Sequence, residues 1–310
     1  MLIGCGEDYL LLKPAEDYIA NWKALINRFA KWRFNTIRLA ARFPDAPYDP
    51  STAESPLDYD KYEQVLNLLS QHGIKAVADC AHNYKSMYGW FGSDAWINDW
   101  VAFANRFNGD KRILAYELFN EPGGGALPSG MTKEGVVRAL AKCTDAIRQV
   151  EPERTVVWSP DPYWGTYIPP DVMRENVIYS EHAWIWESNV ETAIQRAKNA
   201  CARFDTFQKT YQRIYGHLWL SEFGSGGGLG TPEETYAAQK AYCVTLINYC
   251  LKNNVGFSLW LYSKNSWHPP SGDDILASSD YPAYLRKPLT LPILLAASLV
   301  TVSAIAIHKC

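Results

Sequence analysis

Short apolar runs and amphipathic segments take turns along this chain with little between them, and that alternation constrains the fold more than any single residue does. Runs of strand length fall at 1–4, 35–39, 75–79, 113–119, 155–158, 177–180, 218–221 and 257–261. Between them, 17–31 carries Ile19, Trp22, Leu25, Ile26 and Phe29 at helical spacing, and 58–71, 96–107, 133–150, 191–211 and 232–253 read the same way. Gly73 stops the second of these helices. Eight strands, mostly followed by helices, argue for a parallel sheet with crossover helices. Eight units favour a closed (β/α)8 barrel over an open doubly wound sheet. Gly4-Cys5-Gly6 lacks the third glycine of a phosphate-binding turn, so a nucleotide-dependent dehydrogenase is poorly supported.

Charge adds an exclusion. The chain has 30 basic and 33 acidic residues and no basic run, so nothing in it grips nucleic acid. Seven cysteines stand at 5, 80, 143, 201, 243, 250 and 310 without CxxC or Cys/His spacing, which reads as mostly free, buried thiols and no structural zinc.

The two ends differ in character. The first residues have neither a basic n-region nor a long apolar stretch, so no signal peptide is read there. Leu289 to Ile307 is an uncharged run long enough to cross a bilayer core, and its Thr290, Ser298, Thr301 and Ser303 do not gather on one helical face. The expected organisation is therefore a catalytic domain over 1–288 and an apolar tail over 289–310. That tail is read as a membrane anchor or, alternatively, as the last barrel helix.

In a (β/α)8 barrel the reactive groups sit at the C-terminal ends of the strands. Here Arg38 ends the second strand and His82-Asn83-Tyr84 follow the third. Asn120-Glu121 end the fourth, His182-Ala183-Trp184 follow the sixth, Glu222 ends the seventh and Trp260 the eighth. Each has a bland reading alone, as a capping carboxylate or a satisfied core histidine. Together they are aimed at one point. Two carboxylates on different strands are what glycoside hydrolysis needs: one protonates the leaving oxygen, and the other attacks. Glu121 is the expected acid/base and Glu222 the expected nucleophile, ionised beside Arg38. Asn120 is placed to donate to the sugar 2-hydroxyl, and Trp260 to floor the subsite by stacking.

Asn120-Glu121-Pro122, Thr36-Ile37-Arg38, the run from Leu218 to Gly224, His82-Asn83-Tyr84 and Ser258-Leu259-Trp260 occur in the order found in glycoside hydrolase family 5, the cellulase A family. The chain resembles that family from about residue 1 to residue 265. The resemblance implies retaining hydrolysis of β-linked glycans, usually β-1,4-glucan or β-mannan, with no cofactor and no metal. It also implies that Arg38, His82, Asn120, His182 and Trp260 surround the two glutamates. Two positions depart from the pattern: Trp184 stands where the family usually has a tyrosine, and Asp79-Cys80-Ala81-His82 is one residue longer than the usual Asp-x-His.

Aromatics make up 14% of the chain, and those on loops of the active face suit sugar stacking. Trp90 and Trp164, each beside glycine, are the first choices, with Asn83, Tyr84, Trp184 and Trp260 as further substrate contacts. The expected activity is an endo-acting retaining β-1,4-glucanase on a polysaccharide, placed outside the cell or anchored facing outward. The alternatives are a β-mannanase or other β-glycanase, a transglycosylase working from the same intermediate, and a glycan-binding barrel that no longer catalyses.

Overall fold

Eight parallel strands close into a ring in chain order, each paired with its sequence neighbours and the last with the first. The computed structural model describes residues 1–6, 18–41, 43–44, 46, 57–80, 89–122, 130–159, 169–215, 217–225, 230–260 and 272–286. The strands are β1 Ile3–Gly6, β2 Thr36–Ala41, β3 Lys75–Cys80, β4 Ile113–Glu117, β5 Val156–Trp158, β6 Val177–Ile185, β7 His217–Ser225 and β8 Gly256–Trp260. The helices described are α1 Tyr18–Lys31, α2 Tyr59–Gln71, α3 Asp94–Arg106, α4 Lys133–Val150, α5 Val190–Tyr215, α6 Pro232–Asn253, α7 Gly272–Ser278 and α8 Tyr281–Arg286. A 3-10 turn, Pro170–Val172, stands between β5 and β6.

Strands buried on both faces explain why the sequence shows apolar runs rather than simple alternation. Outward residues such as Ile37, Leu39 and Phe257 pack under the helices in one large core. Inward residues Val77, Ala115, Val157 and Trp219 form a separate small cluster that plugs the lumen. The seam between β8 and the chain start is tight. A Cβ on Gly256 would lie 2.8 Å from the Leu2 carbonyl oxygen and 3.0 Å from the Trp219 ring, so only glycine lets the backbones meet.

Local signals set the helix ends. Thr231 and Glu234 form a reciprocal capping box at the start of α6, with Pro232 in its first turn, and Asn254 ends it in the left-handed region at φ 55°.

The eighth helical position is filled by α7 and α8. Tyr281 is fully buried, donates to the Trp32 carbonyl at 2.7 Å and meets Phe257 edge-on. Asp273 accepts from Arg28 at 2.9 Å and from the Trp32 indole at 2.5 Å, tying α7 to α1 and the turn that follows it. Residues 289–310 lie outside the described residues; among the described residues no helix is long and apolar enough to cross a membrane.

Candidate active site

Above the apolar plug the barrel interior turns polar, and the change begins with Arg38. Its guanidinium is fully buried on β2, so its N–H groups need acceptors inside the protein. They find them at β4 and β7: Nε donates to Glu117 at 2.8 Å, Nη1 to Glu222 at 2.8 Å, and Nη2 to the side-chain oxygen of Asn120, just after β4, at 2.9 Å. Nη2 also lies 2.9 Å from Asp79. The Trp260 ring, half-buried at the end of β8, has its centroid 5.8 Å from the guanidinium carbon.

Glu222 reaches this cluster because β7 breaks its alternation. Ser221 hydrogen-bonds Ser180 in the interior, so a regular strand would send the next side chain outward. The register shifts between Leu220 and Phe223, where β7 faces β8, and between Glu181 and His182, where β6 faces β7. That irregularity lets Ser221 and Glu222 both point inward, after which Phe223 returns to the outer core.

Glu121 is delivered by a turn rather than by a strand. It takes φ 44°, a left-handed conformation that costs a non-glycine residue energy, immediately before Pro122. The approach to this turn is held from outside the barrel: the indoles of Trp96 and Trp100 on α3 both donate to the Leu118 carbonyl, at 3.3 and 3.0 Å. The Asn120 amide donates to the Cys80 carbonyl at 3.3 Å.

His182 bridges the two glutamates. Its Nδ1 lies 2.6 Å from Glu121 Oε1 and 3.9 Å from Glu222 Oε1, and its Nε2 faces the Ser159 hydroxyl at 3.4 Å. The donor atoms of Glu121, His182 and Glu222 all lie within 4.8 Å of one another. Burial pushes the imidazole pKa down to about 4, so His182 is neutral at ordinary pH. Burial also raises Glu222 above the usual carboxylate range, and the nearby Glu121 adds to that, while His182 and Arg38 pull the other way. With His182 neutral, Arg38 is the standing cation for Glu222. The three donors are also a geometry that a metal ion can enter, but two carboxylates flanking a neutral imidazole already form a complete acid and nucleophile pair.

The structure thus brings Glu121, Glu222, Arg38, Asn120, His182 and Trp260 to one place. Trp184 follows His182 on β6 and is half-buried. Trp90, expected as a sugar platform, is instead a core plug: it is 5% exposed and tilted against Phe43, with Phe91 packed beside it on Trp96 and Phe119. Its neighbouring glycine is no guide, because the ring is buried against Phe43. His82, Asn83, Tyr84 and Trp164 lie outside the described residues. Asp79, Glu117 and Ser159 were missed from the sequence, although a carboxylate inside an apolar strand was a signal in both Asp79 and Glu117.

A closed barrel with two neighbouring glutamates at the ends of β4 and β7 defines a site of the glycoside hydrolase class. The chain belongs to the cellulase family, glycosyl hydrolase family 5, which it matches over residues 12–266. It is 28% identical over 141 residues to Endoglucanase G of Acetivibrio thermocellus, a match spanning 36% of this chain and 24% of that protein. Solved structures with the same fold include the cellulose synthase subunit Z of Clostridioides difficile, with TM-score 0.65, 18% identity, and coverage of 89% of this chain and 98% of that one. Endoglucanase Cel5A of Thermotoga maritima follows, with TM-score 0.64, 14% identity, and coverage of 89% and 96%. Endo-glycoceramidase II of Rhodococcus sp. aligns with TM-score 0.63, 17% identity, and coverage of 88% and 76%.

Proposed function

We propose that the protein is an endo-acting, retaining β-glycanase that cleaves β-1,4-glucan by double displacement. The spacing of Glu121 and Glu222 carries this reading. Inverting enzymes hold their carboxyl groups about 6.5–9.5 Å apart to admit a water, whereas retaining ones keep them at about 5–5.5 Å. Here one oxygen of each carboxylate lies within 4.8 Å of the other, which supports the closer, retaining spacing.

In the first step Glu222 attacks the anomeric carbon while Glu121 gives its proton to the glycosidic oxygen, which leaves as the free sugar hydroxyl. In the second, Glu121 takes a proton from water, whose oxygen displaces Glu222 and restores the carboxylate. Glu121 must therefore be an acid and then a base. A neutral imidazole can donate or accept at Nδ1 according to its tautomer, and the Ser159 hydroxyl can answer either tautomer at Nε2. His182 thus keeps its contact with Glu121 in both protonation states. The Asn120 oxygen is engaged by Arg38, which turns the amide NH2 into the donor for the sugar 2-hydroxyl.

The likeness to an endoglucanase in sequence supports β-1,4-glucan as the first substrate to try. A polymer of this kind is met outside the cell. The test is release of reducing ends from carboxymethylcellulose, barley β-glucan, mannan and xylan. Glu121→Gln is expected to lower turnover by about 10²–10⁴-fold and Glu222→Gln by at least as much, with both variants folded. Initial product with the β-anomer retained by NMR supports double displacement, and the α-anomer removes it. Tight glycan binding without release would mark a barrel that only binds.

A further inference from the structure

Two carboxylates in the site have no part in the chemistry described above. Asp79 and Glu117 are fully buried, so neither can touch a glycan, yet both lie against the guanidinium that holds Glu222. One buried cation is shared among three carboxylates, from β3, β4 and β7.

We propose that Glu117 and Asp79 are positioning residues that clamp Arg38 between strands and divide its charge, thereby setting how readily Glu222 gives up its proton. The proposal rests on the reading of Glu222 as nucleophile. Among the described residues, the charged and titratable groups against Glu222 are Arg38 from β2, Glu121 from the turn after β4 and His182 from β6, while Asp79 from β3 and Glu117 from β4 act on it through Arg38. Ser159 after β5 and Trp260 on β8 contribute neutral faces. An arginine serving Glu222 alone would hold it firmly ionised. Dividing that field among further anions weakens the hold and adds repulsion, so the nucleophile ionises at a higher pH than Arg38 by itself would allow. A fixed fork held at Nε and Nη2 also leaves Nη1 one direction in which to point, which orients the attacking oxygen.

The two roles separate by substitution. Glu117→Gln keeps an oxygen to accept from Nε but removes the charge, so the acidic limb of the kcat/KM profile should move to lower pH by about one unit. Asp79→Asn should move it the same way. Glu117→Leu removes the acceptor too and should lower the plateau about tenfold or more. A purely structural role predicts a loss equal at every pH. Limbs that stay in place in both Glu117→Gln and Asp79→Asn overturn the proposal; should one variant not fold, the other decides. A readout independent of turnover is the gap in melting temperature between wild type and Glu222→Gln, which opens as Glu222 ionises in the unfolded chain and stops widening once it ionises in the folded protein. With Glu117→Gln in both, that gap should stop widening at a lower pH and be smaller above it. If the wild type cleaves no glycan, the nucleophile reading fails on its own, and the melting comparison still reports whether Glu117 governs the ionisation of Glu222.

Discussion

At residue scale the site is a stack of compromises, and Glu222 carries the largest. Its carboxylate is 4% exposed and its pKa is raised by burial even with Arg38 at 2.8 Å. A raised pKa in the folded state means that Glu222 adds to stability below its unfolded value, and that this contribution is lost as pH rises through the folded value. Replacing it with uncharged Gln should therefore raise the melting temperature at pH 7. The difference should close towards about pH 3, where Glu222 is protonated in both states. Thermal unfolding at the two pH values checks this, and a Glu222→Gln variant that melts lower at pH 7 contradicts it. The paired glutamates were legible in the sequence because each ends an apolar run. Asp79 and Glu117 stood out only as carboxylates inside apolar strands, and their shared arginine, on another strand, could not be read from that.

Elements were legible wherever periodicity ran undisturbed, and they were cut short where the site interrupts it. The runs at 177–180 and 218–221 end at the first polar interior residues, but the backbone ladders continue to Ile185 and Ser225. Hydrogen bonding to neighbouring strands sustains a strand that side-chain pattern alone would end. The bulge in β7 was invisible for the same reason: a register shift belongs to a strand pair and not to one segment. The extended β6 also suggests how substrate is guided. His182 and Trp184 alternate with buried Ala183 and Ile185, so they share one face of β6, and Trp186 follows just past its end. Trp186 is 49% exposed, a wide apolar ring open to a sugar. Trp186→Ala is expected to raise KM for a long glucan about three- to tenfold while leaving kcat on a short aryl glycoside unchanged. Equal KM values on the polymer would make Trp186 a bystander.

For the molecule as a whole, counting strand and helix units was enough to anticipate closure, because eight parallel strands with crossovers leave few other arrangements. What the count left open was the end of the ring, where an apolar tail competed for the position of the last helix. The structure gives that position to α7 and α8. Their Ile275, Leu276 and Tyr281 are buried, and Tyr281 and Asp273 fasten them to Trp32 and Arg28. The seam between β8 and α1 is thus covered before residue 289 is reached. A chain ending at Pro288 should accordingly unfold within about 1–2 °C of the full chain and keep its kcat/KM, since α7 and α8 already cover that seam. Side-by-side melting and turnover of the two chains test this. A fall of many degrees would mean that the tail packs on the barrel as part of its core. With stability unchanged, sedimentation with lipid vesicles separates the remaining roles: pelleting by the full chain alone assigns residues 289–307 to membrane attachment, and equal recovery in the supernatant removes that function from the tail.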